Sequence, residues 1–334
     1  MSSGKYIPPY TLSEKAVNLI AEIAAALERY KIALEGPDGI RLRKINHIRT
    51  IRGTTAIEGN TLTEEQITAL LAGKRVVAPA REIAEVRGAH AAYALLGKID
   101  PFSIPDVLQV HSTMMEGLVK GAGAFRTGGV GVVDGLGNVI HMAPPADRVP
   151  ALLDDLFGWA KASTAHPLVK SCVFHYEFEF IHPFFDGNGR MGRFLQTAML
   201  GKWNPLFHAA PVENIVFENQ AGYYDAINAS TAKADSGPFI DFMLKRILQT
   251  IKTKGRESGD VGVNVGVNVG VKISAKEREI LDMLRHDEML TAMRIAETYS
   301  ISTRQAERLL SSLKKKNLIR RVGPDKGGHW EVVP

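Results

Sequence analysis

The chain has 334 residues, 45% of them hydrophobic and 23% charged, with a net charge of +5: the balance of a soluble globular protein of about two domains. Its single cysteine, Cys172, excludes an intrachain disulfide and a cysteine-rich zinc site, and suits a reducing compartment. The start of the chain shows no signal-peptide stretch, and no apolar run reaches the roughly 18 residues of a membrane span, so a cytoplasmic protein without a membrane partner is expected.

The first hundred residues read as helical. Thr11-Leu-Ser-Glu14 is predicted as a capping box opening a helix in which Ala16, Ile20, Ile23 and Leu27 recur on one face. A second helix is predicted through Ile45, Ile48 and Ile51, stopping near Gly59-Asn60, and Thr61-Leu-Thr-Glu64 is predicted to start another. Val130, Val132 and Val133, then Val139 and Ile140, flank Asp134-Gly-Leu-Gly-Asn138; the pattern predicts a β-hairpin, stopped by Pro144-Pro145 and followed by a helix over 148–162. Residues 168–181 fit a strand and a helix equally well, and their helical surroundings favour a helix. Helices are expected from Asn188 or Gly189 to about Leu200, over 219–232 and over 238–252. The valine-glycine-asparagine alternation of 261–271 reads as a linker, with a sticky edge strand as the alternative. The organisation expected is a helical region over 1–100, a core over 101–250, a linker over 251–271 and a separate unit over 272–334.

That last unit carries the positive surplus: 13 Lys+Arg against 9 Asp+Glu, compared with 28 against 27 in the rest. Ser274-Ala-Lys-Glu277 caps a helix, a second helix follows Thr291, and Ser302-Thr-Arg-Gln305 caps a third. Two strand-like segments follow, over 318–322 and 329–333. Helix, helix-turn-helix, then hairpin resembles a winged helix. On the third helix Arg304, Arg308, Ser311 and Lys315 form a stripe fit for DNA, with Lys314, Lys316, Arg320 and Arg321 adding phosphate-seeking charge. Winged helices also bind proteins or dimerise, and a solvated basic face is the bland alternative.

The densest chemistry lies in His182-Pro-Phe-Phe-Asp-Gly-Asn-Gly-Arg-Met-Gly-Arg193. Glycines flanking Asn188 at a helix start can turn successive N–H groups toward one point, where the helix end adds partial positive charge: an anion cradle. Asp186 offers a hard oxygen to Mg²⁺. Arg190 and Arg193, three apart, can share a helix face and grip phosphate oxygens. His182 can take a proton from a hydroxyl. Residues 187–192 also satisfy G-x-G-x-x-G, but a dinucleotide fold needs parallel βαβ units, and helices stand there instead. His175 with His182 lacks the spacing of a metal pair, so His175 is expected in the core or on the surface.

The segment resembles the signature of the Fic family, His-Pro-Phe-x-x-Gly-Asn-Gly-Arg-x-x-Arg, at every fixed position. The resemblance extends over about 1–250 and takes in Gly4-Lys-Tyr-Ile-Pro-Pro9, then Phe125-Arg126, the 130–142 hairpin and Pro144-Pro145 as a flap, and Tyr223-Tyr224. It implies a mainly α Fic fold, a helical bundle with a β-hairpin flap, joined here to the winged-helix unit. It also implies a nucleotidyltransferase that uses Mg²⁺ to move AMP from ATP to a Ser, Thr or Tyr hydroxyl of a protein. By that resemblance His182 is the base and Asp186 the metal ligand. Gly187, Asn188 and Gly189 receive the α-phosphate, Arg190 helps to hold the triphosphate, Arg193 grips the γ-phosphate, and Met191 and Gly192 belong to the same nucleotide-binding run. Val139, Ile140, His141 and Met142 hold the target backbone and touch the nucleotide, while Tyr223 and Tyr224 border the adenine.

Thr54-Thr-Ala-Ile-Glu58-Gly59-Asn60 resembles the family's inhibitory motif. Its glutamate is expected to pair with Arg193 in place of the γ-phosphate, leaving the α-phosphate misaligned. The alternatives are removal of AMP from a target, transfer of another nucleotidyl or phosphoryl group, and a DNA-binding regulator whose Fic body senses nucleotide. Assembly as a homodimer stays open.

Overall fold

The computed structural model describes residues 6–133, 139–256, 275–287, 289–299, 301–315, 318–322 and 329–332. The predicted turn over 134–138, the linker beyond 256 and the cap at Ser274 lie outside them. The chain divides into two units, Met1–Val261 and Gly262–Pro334.

In the larger unit α1 (Glu14–Glu35) packs along α11 (Gly237–Arg256), so elements from the two ends of the unit lie side by side. Between them in the chain come α2 (Gly39–Ala56), α3 (Glu64–Leu71), α4 (Ala80–Tyr93) and α5 (Ile104–Met115), then strands β1 (Gly131–Val133) and β2 (Val139–Met142). Helices α6 (Val149–Ala162), α7 (Pro167–Ile181), α8 (Asn188–Trp203), α9 (Val212–Glu218) and α10 (Gln220–Lys233) follow. One apolar core runs from Ala16 on α1 to Ile251 on α11, so the regions expected as 1–100 and 101–250 share it.

Two helix starts differ from expectation. α1 is capped by Ser13, which accepts from the Ala16 amide, because Thr11 is engaged elsewhere: its amide and hydroxyl both donate to Asp235 Oδ1. α3 is capped by Thr63, with Gln66 closing a reciprocal box, because Thr61 donates to Glu82. Each stretch holds two competent caps, and the long-range carboxylate takes one of them.

α7 explains its double periodicity. Val173, Phe174, Tyr176, Phe178 and Ile181 are all buried, so the helix is covered nearly all round and shows no polar stripe. It leads through a six-residue loop into α8, which packs on it. β1 and β2 pair antiparallel, Gly131 opposite Met142 and Val132 opposite His141, with a register irregularity between Val132 and Val133.

The smaller unit comprises α12 (Ala275–His286), α13 (Ala292–Tyr299), α14 (Thr303–Lys315) and the antiparallel strands β3 (Ile319–Val322) and β4 (His329–Val332). Ile280, Leu284, Ile295, Ala306, Leu310, Leu313 and Ile319 form its core. Ser302 and Gln305 exchange the two hydrogen bonds of the predicted capping box.

Candidate active site

α7 ends at His182, whose backbone is left-handed (φ 50°) and whose amide donates to Phe178 O. A carbonyl can only accept, so the contact of His182 Nδ1 with Glu179 O at 3.3 Å puts the proton on Nδ1 and makes Nε2 the basic nitrogen.

The loop to α8 closes on itself. The Asn188 side chain accepts from the Phe184 amide at 2.8 Å and donates to the Phe184 carbonyl at 2.9 Å, so this side chain builds the cradle from inside. Gly187 takes φ 85°, a conformation that favours glycine, and starts α8. A β-carbon on Gly189 would stand 2.7 Å from Glu58 Oε1 and 3.0 Å from Arg193 Nη1, which places a carboxylate and a guanidinium at the helix start.

Two residues fix this loop: His111, which sequence reasoning did not single out, and Arg126, which it named only within the flap resemblance. His111 on α5 accepts the Gly123 amide at Nδ1 (2.8 Å), so its Nε2–H donates to Asp186 O (3.0 Å). Its ring stacks on Phe184 at 3.6 Å, and burial lowers its pKa, keeping it neutral near pH 7. Arg126 is the second; its buried guanidinium donates to His182 O at 2.7 Å. Both act on backbone carbonyls far along the chain, and no local motif announces that.

At the lip, Asp186 Oδ1 accepts from its own loop at Gly187 N (2.6 Å) and from Arg190 Nη2 (3.2 Å), while Oδ2 lies 3.5 Å from Arg81 Nη2 on α4. Arg190 is buried, and among the described residues its Nε has no hydrogen-bond partner.

At the far end, Arg193 Nη2 donates to Glu58 Oε1 at 2.6 Å and to Thr54 O at 3.1 Å, and Nε donates to Thr54 Oγ1 at 3.3 Å. Burial alone would lower this guanidinium's pKa, but the Glu58 carboxylate beside it holds it above the usual range. Glu58 follows the last turn of α2, and that turn is pinned: Gln220 donates to Ile57 O, and Asn60 donates to Glu85 on α4.

Beneath Arg193 lies Glu179, whose carboxyl burial pushes up to about 8, Arg193 opposing and Glu58 adding to the rise. One of its oxygens, buried without a hydrogen-bond partner among the described residues, lies 2.4 Å from where a β-carbon on Gly192 would stand. His175, 3.7 Å from the same oxygen, is a core residue that donates to Gln196 and accepts from the Tyr223 hydroxyl; burial lowers it to about 3.

The other residues expected at the nucleotide differ in their surroundings. The Met191 side chain is buried in the core, and Gly192 lies against Glu179 and His175 of α7. Tyr223 is buried and its hydroxyl engaged by His175, whereas its neighbour Tyr224 is 39% exposed. The backbone of Val139, Ile140, His141 and Met142 forms β2, and Met142 is exposed. Among the described residues no cluster of three or more metal-ligating side chains forms. Nor is any of their helices long and apolar enough to cross a membrane.

The chain is similar to known proteins of one family. Residues 101–200 match the model of the Fic/DOC family. The curated relatives include a protein adenylyltransferase Fic of Nematostella vectensis, 28% identical over 63% of this chain and 49% of its own length. They also include the protein adenylyltransferase fic-1 of Caenorhabditis elegans, 29% identical over 61% and 40%. The chain therefore spans less than half the length of these relatives. Among solved structures, a Fic family protein from Desulfovibrio desulfuricans G20 superposes with a TM-score of 0.73 at 39% identity, covering 98% of both chains. With that identity over nearly its whole length, the chain belongs to the Fic family.

Proposed function

We propose that the chain is a protein adenylyltransferase, moving AMP from ATP to a hydroxyl of a protein target, itself included, and that Glu58 restrains it. The observation that carries the reading is the Glu58 carboxylate held 2.6 Å from Arg193 at the start of α8: the cradle selects an anion, and the chain supplies one of its own. That the curated relatives are named protein adenylyltransferases supports the same activity.

The side chains fit a nucleotide triphosphate. The amides at Gly187–Gly189 suit the α-phosphate, the unsatisfied Nε of Arg190 suits a phosphate oxygen, and Arg193 suits the γ-phosphate once Glu58 leaves. Asp186 fits Mg²⁺ as a hard carboxylate donor at the lip of the cradle, and the ion would take the place of the contacts its oxygens now make with Arg190 and Arg81. Bound there, Mg²⁺ would neutralise phosphate charge. His182 Nε2 would take the proton of the target hydroxyl as its oxygen bonds to the α-phosphorus, and the bond to the β-phosphate would break, releasing pyrophosphate. The backbone of β2 offers an edge to an extended target segment.

Incubation of the protein and of Glu58→Gly with labelled ATP and Mg²⁺ tests the proposal. Labelling of the chain, stronger in the variant, is expected. No labelling of either would remove the transferase reading, and equal labelling would remove the restraint. Mass spectrometry after incubation with ATP, UTP or GTP separates AMP transfer from other nucleotidyl transfer.

A second activity is proposed for the smaller unit: contact with duplex DNA by a winged helix. α14 buries Ala306, Leu310 and Leu313 and exposes Arg304, Arg308, Ser311 and Lys314. The Lys315 side chain and Lys316 lie outside the described structure. Arg320, for its part, is paired with Glu331 on the neighbouring strand. Salt-dependent retention of the full chain on duplex DNA would support the reading, and no retention at low salt would remove it.

A further inference from the structure

Arg126 is only 2% exposed, and among the described residues it has no carboxylate partner. Such a buried cation needs compensation. Here backbone carbonyls supply it, from three separate stretches of chain. Nε donates to His182 O (2.7 Å), Nη1 to Gly128 O (2.9 Å), and Nη2 to Pro144 O and Ile181 O (3.3 Å for the last). The Arg126 amide adds a bond to Pro183 O at 2.9 Å.

These acceptors are not scattered. Ile181, His182 and Pro183 are the hinge between α7 and the cradle. Gly128 precedes β1, and Pro144 follows β2. Between these two residues the hairpin is extended by Ala143 N donating to Val130 O. The guanidinium therefore ties the root of the hairpin, on both its strands, to the carbonyl of the proposed base. A cheaper closure would pair the strands alone; the planar fork instead fixes one element relative to another.

We infer that Arg126 is a positioning residue that sets the offset between strand β2 and His182, so that a hydroxyl on a chain segment lying along β2 is presented to the imidazole. The inference rests on the transferase reading. It predicts a division of labour: Arg126 governs presentation of the acceptor and leaves the nucleotide end untouched, because none of its bonds reaches residues 186–193.

The test uses the full chain in the Glu58→Gly background. Arg126→Lys keeps the charge, but one ammonium cannot span four carbonyls. In this variant self-labelling kcat is expected to fall about 10- to 100-fold, the scale of a misplacement near 1 Å, with KM for ATP within about twofold. Hydrogen exchange of the amides at 139–143 is expected to rise while that of α7 and α8 stays unchanged. Arg126→Gln should show the same pattern and serves if the lysine variant does not fold. An unchanged kcat, a joint loss of ATP affinity, or an exchange increase spread through α7 and α8 would each overturn the assignment. Should Glu58→Gly itself fail to label, the transferase reading falls; the exchange measurement then decides alone, and unchanged protection at 139–143 defeats the Arg126 coupling.

Discussion

The cradle is held by different means at its two ends. At Arg193 a buried guanidinium is held by the Glu58 carboxylate, which follows α2, and by the hydroxyl and carbonyl of Thr54. At His182 the held groups are backbone carbonyls, taken by Arg126 and, at Asp186, by His111. A contact between two side chains opens when one rotates. Arg126, which is buried, holds four carbonyls on three stretches of chain at once, and all four bonds must break together for it to turn away. The first end thus has the form of a switch and the second of a fixed frame, and in the proposed reaction regulation falls on the nucleotide tail while accuracy falls on the acceptor.

The largest expected effect tests the frame. His182→Ala should reduce self-labelling about 10²- to 10⁴-fold, the usual contribution of a positioned base, while the Glu58–Arg193 pair remains. Labelled ATP measures the first, and thermal unfolding close to that of the unaltered protein checks the second. Labelling at the original rate would mean that the two ends are not divided as described.

Next comes the switch. Glu58→Gln retains a hydrogen-bond acceptor for Arg193 but loses the charge. Labelling should rise by about tenfold, below the roughly 10²-fold available when misalignment is fully relieved, as expected for Glu58→Gly. If the glutamine and glycine variants label alike, charge alone closes the switch and the hydrogen bond adds nothing.

A smaller effect concerns the floor beneath Arg193. With its carboxyl at about 8 in the fold and in the ordinary carboxylate range when unfolded, Glu179 keeps a proton in the native state that the unfolded chain has lost. Native stability should then fall as pH rises from about 4.3 to about 8 and level off above, because the folded state binds more protons in that window. Glu179→Gln should flatten this part of the profile. Melting temperatures across that range, compared between the two proteins, check it; identical profiles would show that Glu179 does not titrate in the fold.

The smallest effect lies in the other unit. Arg304→Ala should lower the salt slope of duplex retention by about 1. An unchanged slope would take this side chain away from the phosphates.

Much of the loop from His182 to Arg193 was legible in the sequence, because glycine, histidine and arginine at close spacing carry their chemistry locally. The helical character of the chain was legible for a similar reason: apolar spacing and caps are short-range signals. Where two caps competed, as at Thr11 and Ser13, the winner was decided by Asp235, 224 residues away from Thr11. Tyr223 poses the same difficulty, since an aromatic ring on a helix looks alike in the sequence whether or not its hydroxyl meets His175. His111 escaped notice, and Arg126 was noted only as part of the flap, because their partners are carbonyls, a group that every residue possesses and no sequence pattern marks. Glu179 escaped for a related reason: its unusual acidity comes from the enclosure that α7 and α8 make together, not from the letters beside it.

His182 itself carries a penalty that bears on its history. It is one of two non-glycine residues in the described structure with positive φ, a conformation that costs a residue bearing a β-carbon about 1 kcal/mol or more. Glycine would sit there freely. Torsional ease and reactivity thus favour different amino acids at this one position, and a lineage no longer selected for transfer would gain robustness by trading the imidazole for glycine. The proposed reaction, and not the backbone, is what calls for histidine here.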